Sequence, residues 1–305
     1  MKGPLISIAL CTYNGERYLA EQLDSIINQT FKNLEVIVVD DCSTDNTLQI
    51  LANYAEMDVR IKYYQNSQNL GYNKNFEKAL KLTTGNFIAI SDQDDNWKPN
   101  KIQVLMDNIE DNWLVFSNSE YINADGTLAE GKLLNGFSLA GKNYKALLLN
   151  NHITGHTTLF SREFLKYILP FPETGFYDWW MGFIAFYHHK LLFVDEVLTR
   201  YRQHDNAVTS SSMLNKQQLG YSYVNRIHEQ LNVFAKYKGA KPADEDYINK
   251  LNNAFNLKFT NKRSMALFKI VLKDYHELFP TFKVRKKFSK AAFALRFSKR
   301  ISNIN

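Results

Sequence analysis

Between residues 5 and 90, short β-branched runs and helical patterns follow one another in strict rotation, which leaves the chain very few folds. Residues 5–10 read as a strand, 16–28 as an amphipathic helix with Leu19, Leu23, Ile26 and Ile27 inward, and 34–39 as an apolar strand buried on both faces. A helix over 44–54 opened by Ser43 and Asp45, a strand over 60–65, a helix over 72–82 and a strand over 87–90 complete the series. Strands separated by helices pair in parallel through right-handed crossovers. Sheets of that kind take their ligands beyond the carboxyl ends of the strands.

After Trp97 the rotation stops. Pro99 suits the first turn of a helix reaching about residue 112, residues 114–116 are strand-like, and Asp125-Gly126 marks a tight turn. Residues 140–205 mix short helices with strands, including 191–194 and 197–201. From residue 212 onward every periodic segment is helical, with breaks at 239–244 and at Pro280. Charge divides the chain at the same place: residues 211–305 carry 19 Lys and Arg against 6 Asp and Glu, so a total of +6 conceals −7 before residue 211 and +13 after it. The expected organisation is therefore an α/β domain over 1–210, in halves 1–97 and 98–210, and a basic helical region over 211–305.

Several classes drop out. The longest apolar run is about seven residues, near 181–187, against the roughly 18 to 20 of a spanning helix. Residues 1–4 lead directly into a strand without the apolar core of a signal peptide, so export is not expected. Two cysteines, Cys11 and Cys42, cannot build a disulfide framework or a Cys-rich metal site, and they fit a reducing cytosol. No two of the 13 glycines are separated by a single residue, so the dinucleotide fingerprint cannot be written, and no Walker loop is present.

Acidic residues collect where the strands end. Asp40 and Asp41 close the second strand; Asp92, Asp94 and Asp95 follow the fourth, in Ser91-Asp92-Gln93-Asp94-Asp95-Asn96-Trp97. Five carboxylates on one sheet edge repel each other unless a cation joins them. Hard ions such as Mg2+ or Mn2+ take oxygen ligands from one or two carboxylates and complete their shell with water and substrate phosphates. Capping of the helix that begins near Pro99 accounts for one of these acids, not three.

Four motifs now stand in order at strand ends: 10–15 (Leu-Cys-Thr-Tyr-Asn-Gly), 38–47 (Val-Val-Asp-Asp-Cys-Ser-Thr-Asp-Asn-Thr), Asn69-Leu70-Gly71, and 91–97. Together they resemble the family 2 glycosyltransferases of the GT-A fold, over about residues 5–209. The resemblance implies an α/β fold with a Rossmann-like, mostly parallel sheet flanked by helices. It also implies transfer of a hexosyl or deoxyhexosyl group from a nucleotide-diphospho-sugar, usually with inversion, and a divalent metal (Mg2+ or Mn2+) bridging the diphosphate. By the same resemblance Thr12 and Tyr13 line the base and ribose pocket, Asp40 accepts the base's ring N–H, Lys74 stands near the diphosphate, and Asp92 and Asp94 form the metal-binding Asp-x-Asp element. Asp95 is assigned to sugar or ribose hydroxyls. Arg202 and His204 fall in a segment that closes over the diphosphate, Arg202 as a phosphate contact and His204 as a further metal ligand or a phosphate contact. Asp178, in Phe176-Tyr177-Asp178-Trp179-Trp180, matches the family's general base and also suits the cap of a following helix. His156, Trp179 and Trp180 are assigned to the acceptor pocket.

The last stretch, 281–305, holds eight Lys and Arg and no acid, interleaved with Phe282, Phe288, Phe293 and Phe297. Val284, Phe288, Ala291, Ala292 and Leu295 share a helical face, and Phe293, Phe297 and Ile301 stray from it. A basic aromatic tail suits an anionic membrane surface; the alternative is a solvated helix whose aromatics pack on the catalytic domain, and no nucleic-acid motif is present. The expected partners are a nucleotide sugar and a carbohydrate or lipid-linked acceptor in cell-surface polysaccharide synthesis, with a cytoplasmic protein peripheral to the inner membrane face. The alternatives are a non-catalytic carbohydrate- or membrane-binding protein on the same fold, and a sugar nucleotidyltransferase, whose Gly-rich loop after the first strand is missing here.

Overall fold

The computed structural model describes residues 3–204, 216–260, 263–282 and 287–299. They fall into two compact units. A sheet unit comprises Met1–Asn135, Ile153–Glu173 and His188–Ala207, and a helical unit comprises Gly136–His152, Thr174–Tyr187 and Val208–Asn305. The boundary expected at residue 210 lies outside the described residues. Two segments that precede it in sequence belong to the helical unit.

In the sheet unit the rotation read from the sequence is realised as β1 (Ile6–Thr12), α1 (Leu19–Ile27), β2 (Leu34–Asp40), α2 (Thr47–Met57), β3 (Ile61–Gln65), α3 (Tyr72–Leu82) and β4 (Phe87–Ser91). These strands pair in parallel in the order β3-β2-β1-β4. All seven residues of β2 are buried, as a strand covered on both faces requires. Leu19, Leu23 and Ile26 of α1 pack with Ile6, Ile8, Leu10, Val36 and Val38 in the main core. Both α1 and α2 begin three residues later than the patterns suggest, because the residues before them give their backbone amides to side chains of the facing loop. Gly15 N–H donates to Thr47 Oγ1 and Glu16 N–H to Asp45 Oδ2, while Thr44 N–H donates to Asn14 Oδ1.

The second half of the sheet is mixed. After β5 (Asn96–Trp97), α4 (Lys101–Ile109) leads to β6 (Leu114–Ile122), and β7 (Leu128–Lys132) pairs with β6. β8 (Thr158–Ser161) runs antiparallel to both β4 and β6 and joins the halves; the short α5 (Leu165–Ile168) follows it. The two strands expected at 191–194 and 197–201 are one continuous β9 (Leu191–Arg202), parallel to β6 and antiparallel to β5. Ser117 faces Val194 and Asn118 faces Val197, so Asp195 and Glu196 loop out as a bulge that reads in sequence as a break.

The helical unit contains α6 (Tyr177–Tyr187), α7 (Lys216–Phe234), α8 (Pro242–Thr260), α9 (Met265–Lys273), α10 (Tyr275–Leu278) and α11 (Lys287–Phe297). α6 is apolar nearly all round and is accordingly buried, with Phe183 stacked on Phe234 at 4.3 Å between ring centroids. The tyrosine hydroxyls of Tyr144 and Tyr187 both donate to Asp244 at 2.8 Å. In the basic tail, Phe293 and Phe297, the residues that stray from the expected face, make the packing contacts. They lie on Phe279 at 4.9 and 5.2 Å, and Ala294 and Ser298 are buried beside them. Ala292 and Leu295 of the expected face point to solvent. Val284 and Ile301 lie outside the described residues.

Candidate functional site

β1, β2 and β4 end side by side, so the loops that follow them form one rim of the sheet. Asn14 and Cys42, just past the ends of β1 and β2, adopt left-handed backbone angles (φ 48° and 67°) that turn the chain sharply at the rim. A Cβ at Gly15 would fall 2.3 Å from Gln93 Oε1, so any larger residue there would displace the Gln93 side chain. That oxygen accepts from Tyr13 N–H at 2.8 Å, while Gln93 Nε2 donates to Tyr13 C=O at 3.1 Å. The Tyr13 backbone is thus fixed and its ring is left 48% exposed.

Asp40 is fully buried and occupied by its neighbours. It accepts from Thr12 Oγ1 at 2.8 Å, Ser43 Oγ at 2.5 Å and Ser43 N–H at 2.9 Å. Asp41 holds the loop that precedes α3, accepting from Leu70 N–H, Gly71 N–H and Asn66 Nδ2 at 2.7 to 2.9 Å. Lys74, on the first turn of α3, is half exposed and lies 3.6 Å from Glu77.

Beyond β4 the acids separate into two groups. Asp94 Oδ2 lies 2.8 Å from His204 Nε2, a pair tucked against the Tyr18 ring. Asp92, Asp95 and His156 form the other group. His156 Nδ1 is 3.4 Å from Asp92 Oδ2 and 3.5 Å from Asp95 Oδ2, and the three ligand atoms all lie within 4.8 Å of one another. Of the expected metal-binding set, Asp92 therefore sits with Asp95 and His156, whereas Asp94 and His204 sit with each other. Asp95 is completely buried. Its Oδ1 accepts from Arg202 N–H at 3.2 Å, and its Oδ2 has no hydrogen-bond partner among the described residues.

The electrostatics follow from that crowding. Burial, reinforced by the carboxylates of Asp94 and Asp92, pushes the Asp95 carboxyl up to about 7. Burial works to lower the His156 imidazole, but the facing Asp95 and Asp92 outweigh it and raise it. His156 Nε2 contacts Ser119 Oγ at 3.2 Å. Lys101 is buried behind this group, its ammonium 3.6 Å from the Trp97 ring centroid, donating to His156 C=O and to Thr199 Oγ1. Burial pushes it well below its ordinary value against the pull of Asp95 and Asp92. Two carboxylates, one of them with a buried oxygen that lacks a hydrogen-bond partner among the described residues, and an imidazole make a donor set that suits a divalent cation, so the residues present fit one.

Arg202 is buried and holds protein rather than open space. It donates to Asp94 C=O at 2.8 Å, to Glu21 Oε2 at 2.5 Å and to the carbonyls of Asn123 and Ala124, with its guanidinium over Tyr18. In the helical unit, Asp178 stands in the first turn of α6 and accepts from Asn151 Nδ2 at 3.1 Å and Trp179 N–H at 2.6 Å. Trp179 is buried and donates to Leu147 C=O; Trp180 packs edge-on to Tyr237 at 5.6 Å.

A nine-stranded sheet whose first four strands are parallel, with a carboxylate cluster at its carboxyl rim, is the frame in which comparison becomes informative. The family model described as glycosyl transferase family 2 matches residues 7–169, more than half of the chain. This chain belongs to glycosyl transferase family 2. An uncharacterized glycosyltransferase of Haemophilus influenzae is 31% identical over 241 residues, covering 70% of this chain and 70% of that protein. WfgD of Escherichia coli, named as a UDP-Glc:alpha-D-GlcNAc-diphosphoundecaprenol beta-1,3-glucosyltransferase, is 27% identical across 68% of this chain and 80% of its own length. Among solved structures, S. aureus TarS 1-349 in complex with UDP-GlcNAc matches with a TM-score of 0.60 at 20% identity, covering 96% of this chain and 82% of that one. The fold of this family 2 glycosyltransferase is therefore GT-A.

Motif reasoning overlooked Lys101, Gln93 and Glu21. Lys101 was detectable, since it lies on the buried stripe of α4 with Ile102, Leu105 and Ile109, where a charged residue needs a reason. Gln93 and Glu21 carry no such mark, because their roles depend on which loops meet.

Proposed function

We propose that this glycosyltransferase moves a hexosyl or deoxyhexosyl group from a nucleoside-diphosphate sugar to a hydroxyl of a carbohydrate or lipid-linked acceptor, with inversion, in the building of a cell-surface polysaccharide. The observation that carries this is the Asp92–Asp95–His156 cluster at the carboxyl rim of the sheet. We assign Mg2+ or Mn2+ to those three side chains, with Asp94 and His204 as a flanking carboxylate–imidazole pair. A bound divalent ion would neutralise the departing diphosphate as a Lewis acid. WfgD's name supports the acceptor class, and the nucleotide sugar bound to TarS supports the donor class.

The chain's own groups supply the rest. The exposed Tyr13 ring offers a stacking face for a nucleobase, beside Thr12 and on a backbone fixed by Gln93. Asp40 acts by holding Thr12 and Ser43 in place. Lys74 is the cation assigned to the diphosphate, and Arg202 fixes the Asp94 loop on which that end of the donor rests. Asp178 is assigned as general base. The anomeric carbon loses its bond to the diphosphate oxygen and gains one to the acceptor oxygen, whose proton passes to the Asp178 carboxylate. Trp179 and Trp180 are assigned to the acceptor side, whereas His156, expected there, is assigned to the cation instead. Free thiols at Cys11 and Cys42 agree with a reducing compartment. Among the described residues no helix is long and apolar enough to cross a membrane.

The test is a thermal-shift screen of nucleotide sugars with and without Mn2+, followed by nucleoside-diphosphate release. A single nucleotide sugar should raise Tm only when the metal is present. Stabilisation by no nucleotide sugar, or equal stabilisation in chelator, would overturn the assignment.

A further inference from the structure

We propose that α9 and α11 of the helical unit form a docking surface for an anionic lipid bilayer. Between residues 247 and 305 there are 14 Lys and Arg but only two acids, Asp274 and Glu277. Both acids are engaged, Asp274 accepting from Tyr247 and Glu277 lying 2.7 Å from Lys145. α9 and α11 are neighbours, joined by a bridge between Arg263 and Lys299. On α9 the solvent-facing residues are Met265, Ala266, Lys269, Leu272 and Lys273; on α11 they are Ser289, Ala292, Leu295 and Arg296, with Lys299 just beyond. Each stripe therefore mixes apolar side chains with cations and contains no acid. Arg263, Lys269, Arg296 and Lys299 form no ion pair among the described residues.

Met265 is 52% exposed, Leu272 38%, Leu295 39% and Phe282, which precedes α11, 44%. Large apolar side chains standing in water among unpaired cations suit the headgroup boundary, where the charges meet anionic lipid and the apolar tips enter the acyl region. A polyanion in solution rewards only the charges. That separates a bilayer from a nucleic acid on chemical grounds. The surface uses no residue of the proposed catalytic group, so it stands or falls independently of the reaction.

The full chain should float with phosphatidylcholine vesicles enriched in phosphatidylglycerol and stay behind with pure phosphatidylcholine, the bound fraction falling as salt is raised. The variant Lys269→Gln/Arg296→Gln/Lys299→Gln should weaken partitioning about a hundredfold, from roughly 1 kcal/mol for each surface cation. Leu272→Gln/Leu295→Gln, which leaves the charge unchanged, should weaken it about tenfold. Melting temperature and release of nucleoside diphosphate should remain those of the parent in both variants. Equal binding by parent and both variants would overturn the proposal. So would loss in the charge variant alone, matched by equal loss of affinity for single-stranded RNA, because that outcome describes a general polyanion binder.

Discussion

The two ends of the sheet bury carboxylates in opposite ways. At the amino end, Glu35 on β2 accepts from Ser7 Oγ, from the N–H and the hydroxyl of Thr84, and from Gly85 N–H, at 2.5 to 3.2 Å. Burial alone would raise it, but these donors outweigh burial and hold it below the ordinary range. At the carboxyl end, Asp95 has one backbone donor and a buried oxygen with no hydrogen-bond partner among the described residues, and burial, helped by Asp94 and Asp92, raises it to about 7 against the pull of His156. One carboxylate joins β1, β2 and the turn before β4. The other is buried among two acids and an imidazole, where a cation would find its ligands. Burial is therefore no guide to role, whereas the sign of the surroundings is.

Substitutions should separate the two ends cleanly. Asp95→Asn is expected to lower the transfer rate by about three orders of magnitude, the scale of several kcal/mol of cation stabilisation, while leaving Tm unchanged or higher. A rate within tenfold of the parent would erase the distinction. Asp178→Asn, which alters a carboxylate of the helical unit with two donors of its own, should slow transfer about a hundredfold with donor affinity unchanged by calorimetry. Loss of donor affinity would move Asp178 into Glu35's structural class. Glu35→Ala should cost about 2 to 3 kcal/mol in urea unfolding, because buried donors lose their acceptor, with no change in rate per folded molecule. Since its folded pKa lies below the unfolded value of about 4.3, Glu35's contribution is full above that pH and declines as pH falls through the folded value. Unfolding free energies of parent and Glu35→Ala should therefore converge in acid.

The parallel half of the sheet was legible because a strand buried on both faces cannot hide its composition, as β2 shows. The four motifs located the rim for the same reason, each standing where a strand must end. Legibility stopped where a residue's partner comes from far along the chain. Arg202 reads as a phosphate ligand in isolation, yet it meets Glu21 and the carbonyls of Asp94, Asn123 and Ala124. The direct metal set was blurred likewise, since Asp94 and Asp95 are adjacent in sequence but turn to different histidines. In the tail, the spacing alone did not reveal that Phe293 and Phe297 pack, because their partner Phe279 is contributed from before the break at Pro280.

β9 is the last strand of the sheet to be synthesised, and its final residue fastens the loop that follows β4. Residues 92–95 leave the ribosome more than a hundred positions ahead of Arg202, whose N–H bonds Asp95 and whose guanidinium bonds the Asp94 carbonyl. The parallel strands β1 to β4 can pair early, whereas the acidic loop acquires its shape only when this distant segment arrives. During translation the nascent chain can therefore hold the parallel half of the sheet while its acidic rim is still unfastened.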